Sequence, residues 1–147
     1  MIQPPAHPSN RPFVSVIVPT YHDWPRVAQL CEALKKQTLE PDRFEVVIVN
    51  NDPGDPPPAS LSLPTAWQLV SEAQPGSYAA RNRGLNQSQG EVVAFTDSDC
   101  TPDPQWLENG LTHLISGAGR VAGRVQLTFR GARLNWVEKY EKAYAFP

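Results

Sequence analysis

The sequence predicts an α/β fold, a mostly parallel sheet covered by helices, and three observations carry that expectation. Strand-length β-branched runs alternate with apolar residues at helical spacing along the chain. The first two runs are apolar at nearly every position, the pattern of strands buried on both faces. Polar residues gather where the runs stop, which in such a sheet is the end where ligands sit.

Met1 to Pro12 holds Pro4, Pro5, Pro8 and Pro12 with little apolar content and reads as a flexible lead-in, leaving 13–147 as the folded domain. Phe13 to Pro19 is the first strand and Phe44 to Asn50 the second. Between them Val27, Leu30, Cys31 and Leu34 fall on one helical face, so the unit is strand, helix, strand, and its two strands should be parallel. Asp52 to Pro64 contains Pro53, Pro56, Pro57, Pro58 and Pro64; fixed φ angles and missing donors make it a stiff surface loop. Ala66 to Val70 is a short strand. Ser77 to Gln87 is a helix whose Ala80 and Gly84 permit close packing, and Val92 to Thr96 is a strand. Trp106, Leu107, Gly110, Leu111, Leu114 and Ile115 mark another helix, with Asp103 as its cap and Pro104 at its first position. Val121 to Phe129 predicts a strand and Asn135 to Ala145 a final helix.

A chain of 147 residues suits one domain, and a formal charge of −2 gives no basic surface of the kind nucleic acid requires. No apolar run approaches the length of a membrane span, and no secretory signal opens the chain. Cys31 and Cys100 form neither a disulfide framework nor a zinc-ligand spacing, which fits a reducing cytoplasm.

The most informative stretch is VVAFTDSDCTPD, where an apolar strand stops at two acids one residue apart. Alternate side chains of an extended segment share a face, so Asp97 and Asp99 can converge past the strand end. Two close carboxylates repel unless a cation lies between them. Mg²⁺ or Mn²⁺ suits that need, particularly when diphosphate oxygens complete the shell. Two rivals stand beside this reading. Asp97, Asp99, Thr101, Asp103 and Glu108 follow the ligand spacing of an EF-hand loop, although Pro102 stands where that loop needs Gly and the segment is entered from a strand. The acids are otherwise solvated turn residues. The other strand ends are Pro19-Thr20-Tyr21-His22-Asp23 and Asn50-Asn51-Asp52. There Tyr21 is placed to stack on a base and Asn51 or Asp52 to read its edge; an ordinary surface aromatic and an Asn-rich turn are the alternatives.

Taken together, VSVIVPTYHDWPRVAQLCEAL, FEVVIVNNDPGD, GSYAARNRGLNQSQGEVVAFTDSDCTPDPQWL and VAGRVQL resemble the inverting, nucleotide-sugar-dependent glycosyltransferases of family 2, in that family's order and spacing. The resemblance runs from Phe13 to about Leu127. It implies the GT-A fold, a Rossmann-like, mostly parallel sheet with helices on both faces. It also implies a nucleoside-diphosphate sugar as donor, a hydroxyl acceptor, and Mg²⁺ or Mn²⁺. Pro19, Thr20, Tyr21, Asn51, Arg81, Asn82, Asp97 and Ser98 would line the nucleotide-sugar, with Tyr21 packed on the base. Asp99, with Asp97, would hold the metal.

The chain departs from the family pattern in three places. His22 stands where the family usually has Asn, and Asn50-Asn51 where it usually has acids; an Asn carbonyl still accepts a base N–H. The family's acceptor-side half, with its late acidic general base, is not found before Pro147, so the resemblance implies a truncated, donor-binding half that transfers no hexose by itself. Membrane association, at the inner face of the cell membrane, would come only through parts outside this sequence. Cell-envelope polysaccharide is the family's usual product. The competing functions are a non-catalytic nucleotide- and metal-binding module and a sugar-nucleotide pyrophosphorylase. The latter needs a glycine-rich, basic loop after the first strand, and Pro19-Thr20-Tyr21-His22 is not one.

Overall fold

The computed structural model describes residues 13–128, 137–139 and 142. Seven elements follow in order: β1 (Val14–Thr20), α1 (Trp24–Leu34), β2 (Phe44–Asn50), β3 (Gln68–Ser71), α2 (Ser77–Gln87), β4 (Val92–Phe95) and α3 (Trp106–Ile115). All three strand pairings are parallel, in the order β3-β2-β1-β4. The chain therefore builds outward from β1 in one direction and returns to its other side with β4.

The two central strands are buried at nearly every position, as their β-branched composition requires, because helices cover both faces. Val14, Val16 and Val18 of β1 join Phe44, Val46 and Ile48 of β2 on one face, against Val27, Leu30, Cys31 and Leu34 of α1 and Leu107 and Leu111 of α3. Burial of each such side chain contributes about 1.5–3 kcal/mol. Val47 and Val49 face the other way, against Ala80 of α2. A Cβ on Gly84 would lie 2.5 Å from Cγ2 of Ile17 and 3.1 Å from Cγ2 of Val49, so α2 rests on the sheet through its backbone.

At the amino ends of the strands Glu45 is 3% exposed and fully engaged. Its Oε1 accepts from Ser15 Oγ at 2.6 Å and from the Gln89 N–H at 2.6 Å, and its Oε2 accepts from Gln68 Nε2 at 3.1 Å. The Gly90 N–H donates to Ser15 Oγ at 2.8 Å, and a Cβ there would lie 2.6 Å from the Ser15 nitrogen. A buried carboxylate is tolerated here because hydrogen bonds from three neighbours replace water.

Three expectations need revision. Residues 121–128 form no strand: Val121 and Val125 are 42% and 52% exposed, and no described strand offers them a ladder, without which backbone groups prefer water; Phe129 lies outside the described residues. Asp103 is not the cap of α3, nor Pro104 its first residue. The Asp103 carboxylate instead accepts from the Gln105 N–H at 2.9 Å, which makes a turn ahead of the helix. The third strand begins at Gln68 because the Trp67 N–H closes a turn onto the Pro64 carbonyl at 2.9 Å, leaving the Trp67 ring against Phe44. Most of the helix expected over Asn135 to Ala145 lies outside the described residues; 137–139 and 142 are helical. The lead-in of residues 1–12 also lies outside them. Among the described residues no helix is long and apolar enough to cross a membrane.

Candidate functional site

Strand order locates the site. The chain moves from β1 to β2 and β3 on one side and to β4 on the other, so the switch point lies between β1 and β4, and ligands of such sheets bind there, beyond the carboxyl ends. Tyr21 and His22 follow β1, Asn51 and Asp52 follow β2, and Asp97, Ser98 and Asp99 follow β4. Ile17 pairs with Phe95 and its carbonyl accepts from the Thr96 N–H at 3.2 Å, which brings the acid segment alongside β1.

Tyr21 is 64% exposed at this crevice, and its ring meets that of His22 edge-on at 4.2 Å. His22 has φ +52°, a left-handed conformation. Its Nε2 lies 2.9 Å from Asp52 Oδ2 and its Nδ1 3.3 Å from Asp55 Oδ2. Pro19 is half-buried within β1; Thr20 is buried and its hydroxyl has no hydrogen-bond partner.

Asn51 is turned toward the chain itself. Its Nδ2 donates to the carbonyls of Glu72 at 3.0 Å and Gln74 at 2.7 Å, and its Oδ1 accepts from the Gly76 N–H at 3.0 Å. Two carbonyls on one side and one N–H on the other define which atom of the amide is which. The contact holds the 72–76 loop, whose Gly76 at φ +113° leads into α2. Asn50 and Asp52 shape the next loop: Asn50 donates to the Asp55 carbonyl at 2.9 Å, and Asp52 accepts from the Gly54 N–H at 2.8 Å.

From α2, Arg81 reaches the acid segment and donates to Asp97 Oδ1 at 2.5 Å. The resemblance implies both as neighbours of the nucleotide-sugar but gave no sign of their direct pairing. Asn82 and Arg83 are exposed on the same helix, and Ser98 is half-buried. Asp99 is exposed and receives a long contact from the Cys100 thiol at 3.9 Å. Among the described residues no group of three or more His, Cys, Asp or Glu is arranged to hold a metal ion. Two hollows of about 160 and 380 Å³ lie between α1 and the proline-rich loop; neither reaches the acids.

Comparison with known proteins agrees with this architecture. The family model for Glycosyl transferase family 2 matches residues 15–145. Glycosyltransferase AglE of Haloferax volcanii is 40% identical over 128 residues, covering 82% of this chain and 42% of its own length. The mannosyltransferase PcManGT from Pyrobaculum calidifontis, solved in complex with GDP-Man and Mn²⁺, superposes with a TM-score of 0.59 at 29% identity, over 73% of this chain and 33% of that one. The structure of S. aureus TarS 1-349 in complex with UDP gives 0.57 at 27% identity, over 70% and 32%. This chain thus spans less than half the length of each. With a parallel sheet, a polar switch-point crevice and a family match over nearly its whole length, the chain belongs to glycosyl transferase family 2 and carries the GT-A fold.

Proposed function

We propose that residues 13–128 bind the nucleoside-diphosphate sugar of a glycosyltransferase that moves a hexose to an acceptor hydroxyl with inversion, and that 13–147 belong to one GT-A domain. The observation that carries this reading is the Arg81–Asp97 pair at the switch point, a guanidinium and a carboxylate side by side where a donor's diphosphate and sugar would meet the sheet. The solved relatives with UDP and with GDP-Man support the donor class.

In this reading Tyr21 offers its exposed ring to the base, and Pro19 and Thr20 shape the floor beneath it. Asn51 holds the 72–76 loop at the base edge, with one lone pair of its carbonyl left for a base N–H. Arg81 and Asn82 on α2, with Ser98, face the diphosphate and sugar. Arg81 adds a fixed positive charge where negative charge develops on the leaving group.

The donor set fits a hard divalent ion in part. Asp99 and Asp97 are exposed oxygen donors, and Mg²⁺ or Mn²⁺ would need diphosphate and water oxygens to complete six-fold coordination. When bound, such an ion supplies charge stabilisation to the departing diphosphate. A cytoplasmic setting and a polysaccharide product belong to the same proposal.

Calorimetric titration with UDP and with GDP tests it. Mn²⁺ should tighten binding of at least one of them by roughly tenfold or more, about 1.4 kcal/mol. Asp99→Ala should abolish that gain while leaving the circular dichroism unchanged. Equal affinities with Mn²⁺ and with EDTA would overturn the metal role, and no binding of either nucleotide would overturn donor recognition.

A further inference from the structure

His22 sits between two carboxylates in a backbone conformation that a β-carbon makes unfavourable. Its φ of +52° is uncommon outside glycine, although His is among the residues that adopt it more readily. Both ring nitrogens lie near carboxylate oxygens, Nε2 at 2.9 Å from Asp52 and Nδ1 at 3.3 Å from Asp55. An ionised carboxylate only accepts, whereas a neutral imidazole has one donor and one acceptor. The arrangement is therefore satisfied at both ends only by the imidazolium. The titratable groups facing the ring are Asp52 and Asp55 from the loop after β2 and Tyr21 from its own segment. The neighbouring Asp23 is turned to Arg26, 3.3 Å away on α1.

We propose that His22 is a positioning residue: in its doubly protonated form it latches the 52–55 loop to the end of β1 and thereby fixes the Tyr21 ring for the nucleotide base. This rests on the donor-binding reading only in its last clause. Asn50 already ties Asp55 to β2 through the 2.9 Å bond to its carbonyl, and Asp52 closes on Gly54. His22 alone among these contacts joins that loop to β1 by side chains. Its ring also stands at right angles to that of Tyr21, with centroids 4.2 Å apart, so an imidazole that loses one carboxylate and turns withdraws the surface against which the Tyr21 ring rests.

Two measurements on wild type and His22→Asn test the latch; Asn tolerates the left-handed conformation, so the variant should fold. The first is free of ligand. Amide-exchange protection factors for Asp52, Gly54 and Asp55, corrected for intrinsic exchange, should be higher in wild type than in the variant at about pH 5.5 and should converge by about pH 8.5. The second titrates UDP and GDP with Mn²⁺. The wild-type to variant affinity ratio should be roughly fivefold at the acid end and near one at the alkaline end. Taking the ratio cancels the titration of the nucleotide phosphate. Protection that ignores both pH and the substitution overturns the latch whatever binds, and a ratio constant across pH overturns its action on the nucleotide. Intact, pH-dependent protection with no binding of either nucleotide keeps the latch and overturns the donor-binding reading alone.

Discussion

Replacing Asn51 by Asp installs the kind of residue that the family usually carries at this place, and in this chain it should destabilise. The amide gives two N–H donors to the Glu72 and Gln74 carbonyls and takes one N–H from Gly76. A carboxylate keeps the last contact and loses both of the first. Each neutral hydrogen bond contributes about 0.5–1.5 kcal/mol net, so the loss is about 1–3 kcal/mol. A charged oxygen near two carbonyl oxygens adds repulsion, which partial exposure of the loop moderates. Asn51→Ala loses all three bonds and adds no repulsion. Both variants should therefore be less stable than wild type, Asp by about 1–3 kcal/mol before repulsion is added and Ala by about 1.5–4.5 kcal/mol on the same count. Urea unfolding at neutral pH measures it, as a shift in midpoint with unchanged slope. The Asp deficit should narrow on acidification, because a protonated carboxyl regains one donor. An Asp variant as stable as wild type would show that the amide does not hold the 72–76 loop, and the assignment of its two ends would fall with it.

Two further expectations follow from packing. Gly84→Ala should destabilise by about 1–2 kcal/mol, since overpacking against Ile17 and Val49 outweighs the roughly 1 kcal/mol that alanine gains in a helix; a stabilised variant in urea would refute the close approach. Burial pushes the Cys31 thiol up to about 11 from its ordinary 9.0, with the Lys35 charge opposing and Glu32 assisting. The unfolded chain then ionises first, so this contribution to stability is complete below about pH 9 and is lost as pH rises toward 11, about 2–3 kcal/mol at most. Cys31→Ala should flatten that alkaline decline in unfolding free energy, whereas an unchanged decline would assign it to other groups.

Much of the fold was legible because its signals are local. The bounds of β2 follow from its near-continuous apolar run, and Val27, Leu30, Cys31 and Leu34 all face the core as their spacing requires. Residues 121–128 carry a strand-like composition without a described neighbour to pair with, and pairing is a property of the sheet rather than of the segment. The site divides in the same way. The positions of Tyr21 and Asp97 beyond β1 and β4 were legible because strand ends are visible in sequence. The direction of the Asn51 side chain was not, since its partners are the backbone of residues 72–76, a loop whose course no local pattern encodes. The His22 latch was hidden for a related reason: it depends on a left-handed φ and on the fold of a loop some thirty residues later.

One mechanical consequence remains in α2. It is pinned at its entry by Asn51 on Gly76, at its waist by Gly84 against Ile17, and just past its exit by Glu45 and Ser15 on Gln89 and Gly90. A bar fixed at three points along its length can neither tilt nor slide without breaking contacts at one of them. Arg81 therefore rides on an anvil, not on a lid. Whatever closes over a ligand in this crevice must be recruited from elsewhere in the molecule.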